Sequence, residues 1–567
     1  VTTGSKPRIA HLSGPTATIQ NTPPLVTSNK ARQKHKLPLL HNPDGTVPEH
    51  DALRPQRLAA PATIYVEQFS AHPLEADAGE LYGAPDGYIG GDGIFRKERA
   101  SPSDRPVYEV EIRPEDGLYP LPYMAVQADG QPWEEECAVA GAPAAKARQG
   151  FFPDGSRSFE EIDRLSIMMN GTSSAISSKA AVDFYRIAPP GGYTKGLPAA
   201  SRTDVGEGEI APETRGKHFF PYKPVHLAAA PPRPVLAKIT NDVQAILASG
   251  KYQGAIWTQG SPQIEETAYW FNLLIDSELP ICGNAAQRPQ GQASNDGPKN
   301  IIDSVDYITS RVWADEHGRN AAGAVVIQEQ QVFAAREVAK VDARPGGYVA
   351  TGGHGGILGG VGGHGAPVLL YLPATRHTYK SDVNISKLPA SVGAVRATAN
   401  GIERVTIAIK HPDGKLTEDA IPSVSIVKDG GYTAEDFSGD PAREVDLIAL
   451  INHKMSLGRL AGFVIEGLVP YGSMPSSVRQ KLMLDAVFSG LPVVRVGRGS
   501  PEGFADPHPH FIPGSNLTST KARMLLMACL MKFGSLPPAK DPANPTKQEM
   551  EATAKAASAY QRVFATH

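Results

Sequence analysis

The 567-residue sequence predicts an α/β fold with a mainly parallel sheet. Two observations carry this. Across residues 235–327 short apolar runs alternate with amphipathic ones, and the same alternation returns across 462–533. Strands that alternate with helices form parallel sheets covered on both faces. Composition agrees. Hydrophobic residues are 41% and charged residues 20%, enough for sizeable cores and incompatible with a wholly disordered chain. The length suggests roughly two to four domains.

The first strand is Arg8-Ile9-Ala10-His11-Leu12, running into the turn residues Ser13-Gly14-Pro15-Thr16-Ala17-Thr18. From about residue 29 to 224 the chain is rich in Pro, Gly and charge. Thr63-Ile64-Tyr65-Val66 and Val107-Tyr108-Glu109-Val110-Glu111-Ile112 stand out as β-like, so loops and short strands are expected there. A helix over 238–249 ends at Gly250, a suitable C-cap. Strand 254–258, helix 264–277, strand 279–282, helix 300–315 and strand 323–327 follow. Residues 346–365 are so rich in glycine that they are expected to be loop, and 376–391 read as a linker. Segments 394–409 and 423–427 are strand-rich. Strand 462–465, helix 476–489, strand 491–496 and the apolar-faced helices 519–533 and 547–563 complete the chain.

Lys and Arg total 56 against 59 Asp and Glu, a formal net charge of −3. That balance gives no global electrostatic reason to bind nucleic acid or an anionic membrane. No apolar run is long enough to span a bilayer. Nothing chooses between a cytoplasmic and a periplasmic location. Cys137, Cys282 and Cys529 lie far apart without a CxxC pair, so buried free thiols are expected rather than a disulfide framework.

Ligands in open α/β sheets bind beyond the C-terminal ends of strands. Three loops qualify: Ser13 to Thr18, Thr258-Gln259-Gly260-Ser261-Pro262, and Gly467 to Ser473. Their hydroxyls can act as nucleophiles beside oxyanion-stabilising N–H groups, or can simply cap helices. Gly352-Gly353-His354-Gly355-Gly356 and Gly363-His364 lack the Lys-Ser/Thr of a phosphate loop and read as structural. His508 and His510 would need further ligands to hold a metal. No metal and no cofactor is expected.

The segment Trp257-Thr258-Gln259-Gly260-Ser261-Pro262-Gln263-Ile264-Glu265-Glu266-Thr267-Ala268-Tyr269 resembles the second signature of bacterial L-asparaginases and glutaminase-asparaginases, T-H-G-T-D-T-M-E-E-T-A-Y. Further likenesses follow in order. They are Gly283 to Pro289, then Asn295-Asp296-Gly297-Pro298 with Asn300, and Ala335-Arg336-Glu337-Val338-Ala339-Lys340. Arg376-His377-Thr378 with Ser381-Asp382, Val493-Val494-Arg495 and Thr520-Lys521-Ala522-Arg523 continue the series. Leu12-Ser13-Gly14-Pro15-Thr16 is similar to a degraded first signature. The resemblance implies a larger N-terminal α/β domain (1–375, with an insertion at about 30–161) and the linker 376–391. A smaller C-terminal α/β domain follows (392–567, with an insertion at about 410–444). It also implies a homo-oligomer, dimer or tetramer, acting on a small-molecule amide.

By the same resemblance Thr16 matches the family's first nucleophilic threonine, with Thr18 as the alternative register. Ser261 matches the second threonine and Lys340 the lysine of its Thr-Lys-Asp triad. Ser173 matches a substrate-binding serine, and the Gly260 and Ser261 N–H groups are oxyanion-donor candidates. Glu502 or Asp506 is similar to an acid contributed by a partner subunit. The departures matter as much. Pro262 stands where the family has the aspartate that completes the triad and receives the substrate's α-amino group, and Lys30 replaces the loop tyrosine. The implied activity is hydrolysis of a carboxamide or cyclic amide through a Thr/Ser hydroxyl with lysine assistance, on a substrate altered from asparagine. A true L-asparaginase or glutaminase with a replaced amino-group receptor, and a non-catalytic binding or assembly protein on this fold, are the alternatives.

Overall fold

The computed structural model describes residues 6–14, 25–28, 46, 50–53, 62–66, 84–89, 95–112, 175–176, 178–186, 233–288, 294, 296–344, 346–351, 353–362, 365–429, 440–468, 472–498 and 508–567. The chain divides into two compact units. One comprises Val1–Lys6, Ala10–Ala230 and Arg288–Pro298; the other Pro7–Ile9, Pro231–Gln287 and Lys299–His567.

Strand β1 (Arg8–Ser13) has Ile9, Ala10 and Leu12 fully buried, as its apolar run predicts. The first unit then holds short strands. β2 (Leu25–Ser28) and β3 (His50–Leu53) form an antiparallel pair. β4 (Ala62–Val66), β5 (Gly87–Ile89), β6 (Phe95–Arg96) and β7 (Arg105–Ile112) form an antiparallel sheet in the order β4-β7-β5-β6. The two β-like pieces of the sequence are paired directly, Ile64 opposite Val110. β8 (Ala181–Arg186) completes the described strands of this unit.

In the second unit, helix α1 (Val235–Ala248) is followed by β9 (Ala255–Thr258), α2 (Ile264–Leu274), β10 (Ile281–Asn284), α3 (Gly297–Ser310) and β11 (Ala324–Gln328). Every residue of β9, β10 and β11 is buried, and the three pair in parallel. Strands buried on both faces read as near-continuous apolar runs rather than as alternation, and each of these ends on a buried polar residue, Thr258, Asn284 or Gln328. Helix α2 is buried nearly all round. Trp257 meets Phe271 edge-on at 4.8 Å between ring centroids. The Trp270 indole donates to Thr240 Oγ1 at 2.8 Å, tying α2 to α1. A buried indole N–H needs such a partner.

The chain continues through β12 (Gln331–Ala334), β13 (Val338–Lys340), β14 (Tyr348–Ala350), β15 (Ile357–Gly360) and β16 (Val368–Leu369). β12, β15 and β16 extend the sheet antiparallel from β11. The expected loop at 346–365 is therefore corrected. It contains β14, a 3-10 turn at His354–Gly356 and β15. Some of these glycines serve close approach: a Cβ on Gly359 would lie 1.9 Å from the Val368 carbonyl oxygen across the β15–β16 pair, whereas Gly353 takes a positive φ of +89°.

The hairpin β17 (Ser391–Thr398) and β18 (Gly401–Ala408) precedes a four-stranded sheet. That sheet is parallel throughout, β19 (Ser423–Lys428), β20 (Ala461–Gly467), β21 (Val493–Gly497) and β22 (Ile512–Pro513). Its helices are α4 (Val445–Ser456), α5 (Ser477–Phe488), α6 (Ser519–Phe533) and α7 (Lys547–Phe564). Sequence reading missed α4, whose buried set is Leu447, Lys454 and Met455, too sparse for an apolar stripe. Helix α6 keeps its expected bounds because both ends are signalled: the Thr518 side chain accepts from Lys521 N, and Gly534 stops the helix at φ +77°. The parallel β9, β10 and β11 of the mixed sheet and the all-parallel four-stranded sheet thus give the α/β class expected from alternation.

Candidate active site

The site begins where β9 ends. Thr258 and Gln259 are buried, and the chain turns through half-buried Gly260 and Ser261 into α2. Buried amides fix this turn. Gln259 N donates to the Asn284 carbonyl at 3.2 Å, and Gln259 Oε1 accepts from the Trp257 indole at 2.9 Å. Asn284 reaches Ser304 Oγ at 2.7 Å, and Asn300 donates to the Ala285 carbonyl and to Gln328 Oε1 at 2.8 and 3.1 Å. Side-chain amides therefore lace together the C-terminal ends of β9, β10 and β11, where such sheets bind ligands. In the sequence Asn300 stands out only as part of a signature. The Ser261–Pro262 peptide is cis, and Pro262 is exposed.

Ser261 Oγ lies 2.8 Å from the Tyr348 hydroxyl. Lys340, the last residue of β13, pairs across the hairpin with Tyr348, the first of β14. The Lys340 ammonium sits 5.4 Å from the centroid of the Tyr348 ring and donates to the Arg344 carbonyl at 2.7 Å. The serine and the lysine expected from the sequence thus meet on a shared tyrosine. Tyr348 was missed, since nothing in Gly346-Gly347-Tyr348-Val349 marks it as a site residue before the hairpin register is known.

Two further groups hold the strand and the turn together. Glu265, in the first turn of α2, accepts the Lys340 backbone N–H at 2.6 Å. Burial raises the Glu265 carboxyl above its ordinary range, while the Lys521 ammonium and the Lys340 N–H pull it down. Lys521 of α6 is buried. Its ammonium donates to the Ala335 carbonyl at 2.6 Å and to the Glu265 carbonyl. Burial lowers its pKa from 10.5 to about 8, more than the carboxylates of Glu265, Glu266 and Glu337 raise it. Arg523, two residues on, forms an ion pair with Glu266. The Thr520-Lys521-Ala522-Arg523 signature is therefore a fastening of α6 onto the first turn of α2.

Residues 233–352 match the family model described as "Asparaginase, N-terminal". This is the stretch that holds Gly260, Ser261, Lys340 and Tyr348. Over this stretch the chain is similar to the asparaginase family. Curated relatives agree. The glutaminase-asparaginase of Acinetobacter glutaminasificans is 28% identical over 154 residues, 27% of this chain and 44% of that protein. The L-asparaginase of Bacillus licheniformis is 34% identical over 108 residues, 19% of this chain and 32% of that protein. The chain thus spans less than half the length of these two relatives. A solved structure, described as a probable cytoplasmic L-asparaginase from Campylobacter jejuni, aligns at 20% identity with a TM-score of 0.43, over 68% of this chain and 90% of that one.

The remaining expected positions fall in several places. Thr16, Thr18, Ser173, Glu502 and Asp506 lie outside the described residues, as does Cys137. Cys282 and Cys529 are free and buried, and burial pushes both thiols up. His508 and His510 are engaged locally: His508 Nδ1 accepts from His510 N and Phe511 N at 3.2 and 3.3 Å, and His510 Nε2 lies 3.2 Å from the Met550 carbonyl. Among the described residues no helix is long and apolar enough to cross a membrane.

Proposed function

We propose that this chain is an amidohydrolase that cleaves a carboxamide or cyclic amide, on a substrate other than asparagine. Thr16, with Thr18 as the alternative register, is the first hydroxyl nucleophile, and Ser261, assisted by Lys340, is the second reacting hydroxyl. Ser173 and Gly260 contact the substrate. The observation that carries the reading is one substitution inside the asparaginase segment. Ser261 keeps a hydroxyl within hydrogen-bond reach of a second hydroxyl, while its neighbour Pro262 carries no charge. An α-ammonium needs a paired anion when it leaves water. The usual anion is missing, but the groups that attack a carbonyl are kept.

The test is ammonia release from L-asparagine, L-glutamine and simple carboxamides without an α-amino group. Product formation from cyclic amides is followed by mass spectrometry. Wild type, Thr16→Ala and Ser261→Ala are compared. Turnover of amides without the amino group, lost in the variants, is the expected result. Turnover of asparagine alone would replace this reading with a true asparaginase that receives the amino group elsewhere. Failure on every substrate would favour a binding or assembly protein.

A further inference from the structure

We infer that Tyr348 is the proton-transfer partner of Ser261, in the place that Pro262 leaves without a carboxylate. The inference rests on the proposal that the Ser261 hydroxyl is a reacting group. Three observations support it. Tyr348 is 6% exposed, and its hydroxyl lies 2.8 Å from Ser261 Oγ, so the proton between them is shielded from bulk water. The β13–β14 register sets Tyr348 opposite Lys340, and the Lys340 ammonium lies 5.4 Å from the tyrosine ring centroid. A cation over an aromatic face is attracted to it, and it stabilises negative charge that builds on the phenol oxygen. Finally, Lys340 Nζ donates to the Arg344 carbonyl, and among the described residues the side-chain partner of Ser261 Oγ is Tyr348. The lysine therefore acts on the serine through the tyrosine.

The chemistry balances without an outside reagent. As Ser261 Oγ forms a bond to the carbonyl carbon, its proton passes to the Tyr348 oxygen. The phenol's own proton passes to the departing amide nitrogen as the C–N bond breaks. The amine leaves, the ester remains on Ser261, and tyrosine ends as it began. Water attack reverses the path: its proton goes to Tyr348, the phenol proton returns to Ser261 Oγ, and the acid is released. A positioned acid–base group of this kind contributes about 100- to 10,000-fold.

The experiment measures acetylation by p-nitrophenyl acetate in the full chain, with the acetyl group located by peptide mass spectrometry. Wild type, Ser261→Ala and Tyr348→Phe are compared across pH. Phenylalanine keeps the ring under Lys340 and the buried packing, and thermal melting and circular dichroism establish that the variant is folded. Acetylation of Ser261 in wild type, slowed about 100-fold or more in Tyr348→Phe with loss of the basic limb of the pH profile, is expected. Equal labelling of Ser261 in wild type and Tyr348→Phe, or no label on Ser261 in wild type, overturns the inference. Should Ser261 label in this Tyr348-dependent way while no amide is turned over, the inference stands and the proposed amidohydrolase activity fails.

Discussion

Lys521 offers a measurement whose sign follows from burial. Its ammonium is 1% exposed and hydrogen-bonded to two carbonyls, and burial lowers its pKa to about 8 from 10.5. Above about pH 8 the folded chain releases this proton, while the unfolded chain holds it until about 10.5. In that window the unfolded state binds more protons, so stability from this group rises with pH. The difference, 10.5 − 8 = 2.5 units, corresponds to about 3 kcal/mol. Lys521→Met keeps the apolar stem and removes the titration. At neutral pH two effects oppose each other. Losing two bonds from a charged donor costs about 3–6 kcal/mol, and relieving the buried charge returns about 3. The variant should be less stable by about 0–3 kcal/mol near pH 7, and the gap should widen by about 3 kcal/mol towards pH 10.5. Urea unfolding of both proteins, followed by tryptophan fluorescence, reads this directly, since Trp257, Trp270 and Trp313 are all buried in the second unit. Lys454, also lowered to about 8, is common to both proteins and cancels in the comparison. A gap that stays constant or narrows between pH 7 and 10.5 would refute the argument that burial dominates at Lys521.

The acid side and the glycine-rich sheet edge each give a further expectation. Burial holds His377 neutral, with its pKa lowered to about 4, so its stability contribution is present above 6.5 and lost as pH falls from 6.5 towards 4; His377→Gln should flatten the fall of melting temperature across that range. Gly359→Ala should abolish or severely weaken folding, because the new Cβ would lie 1.9 Å from a backbone oxygen. Gly355→Ala, with nothing within 4 Å, should melt like wild type.

The elements that the sequence disclosed are those whose signals are local. β9 and β10 are short apolar runs because both faces are covered, and α6 carries its cap and its stop in the residues themselves. The elements it concealed depend on partners distant in the chain. Gly359 looks like a loop glycine until β16 is seen to press on it, and α4 buries a lysine among its few inward positions. A glycine demanded by a close neighbour and one demanded by a turn are the same letter.

The candidate site divides in the same way. Ser261 and Lys340 were legible because each sits in a run of residues resembling a known signature, and the resemblance also exposed Pro262 as the break in the pattern. Tyr348, which we infer takes the place of the missing carboxylate, was not legible. Its position is set by the β13–β14 register: a one-residue slip would turn Tyr348 to the opposite face of the strand and leave Ser261 without that hydroxyl. The hairpin turn is held open to one register by Asp342, which accepts from the Arg344 backbone N–H at 2.9 Å, and by Gly347, where a Cβ would lie 2.5 Å from the Asp342 carbonyl oxygen. The small residues of the turn, which carry no chemistry of their own, therefore decide which hydroxyl faces the serine. In the proposed reading, the change at Pro262 is coupled to the geometry of a turn that lies far from it in sequence.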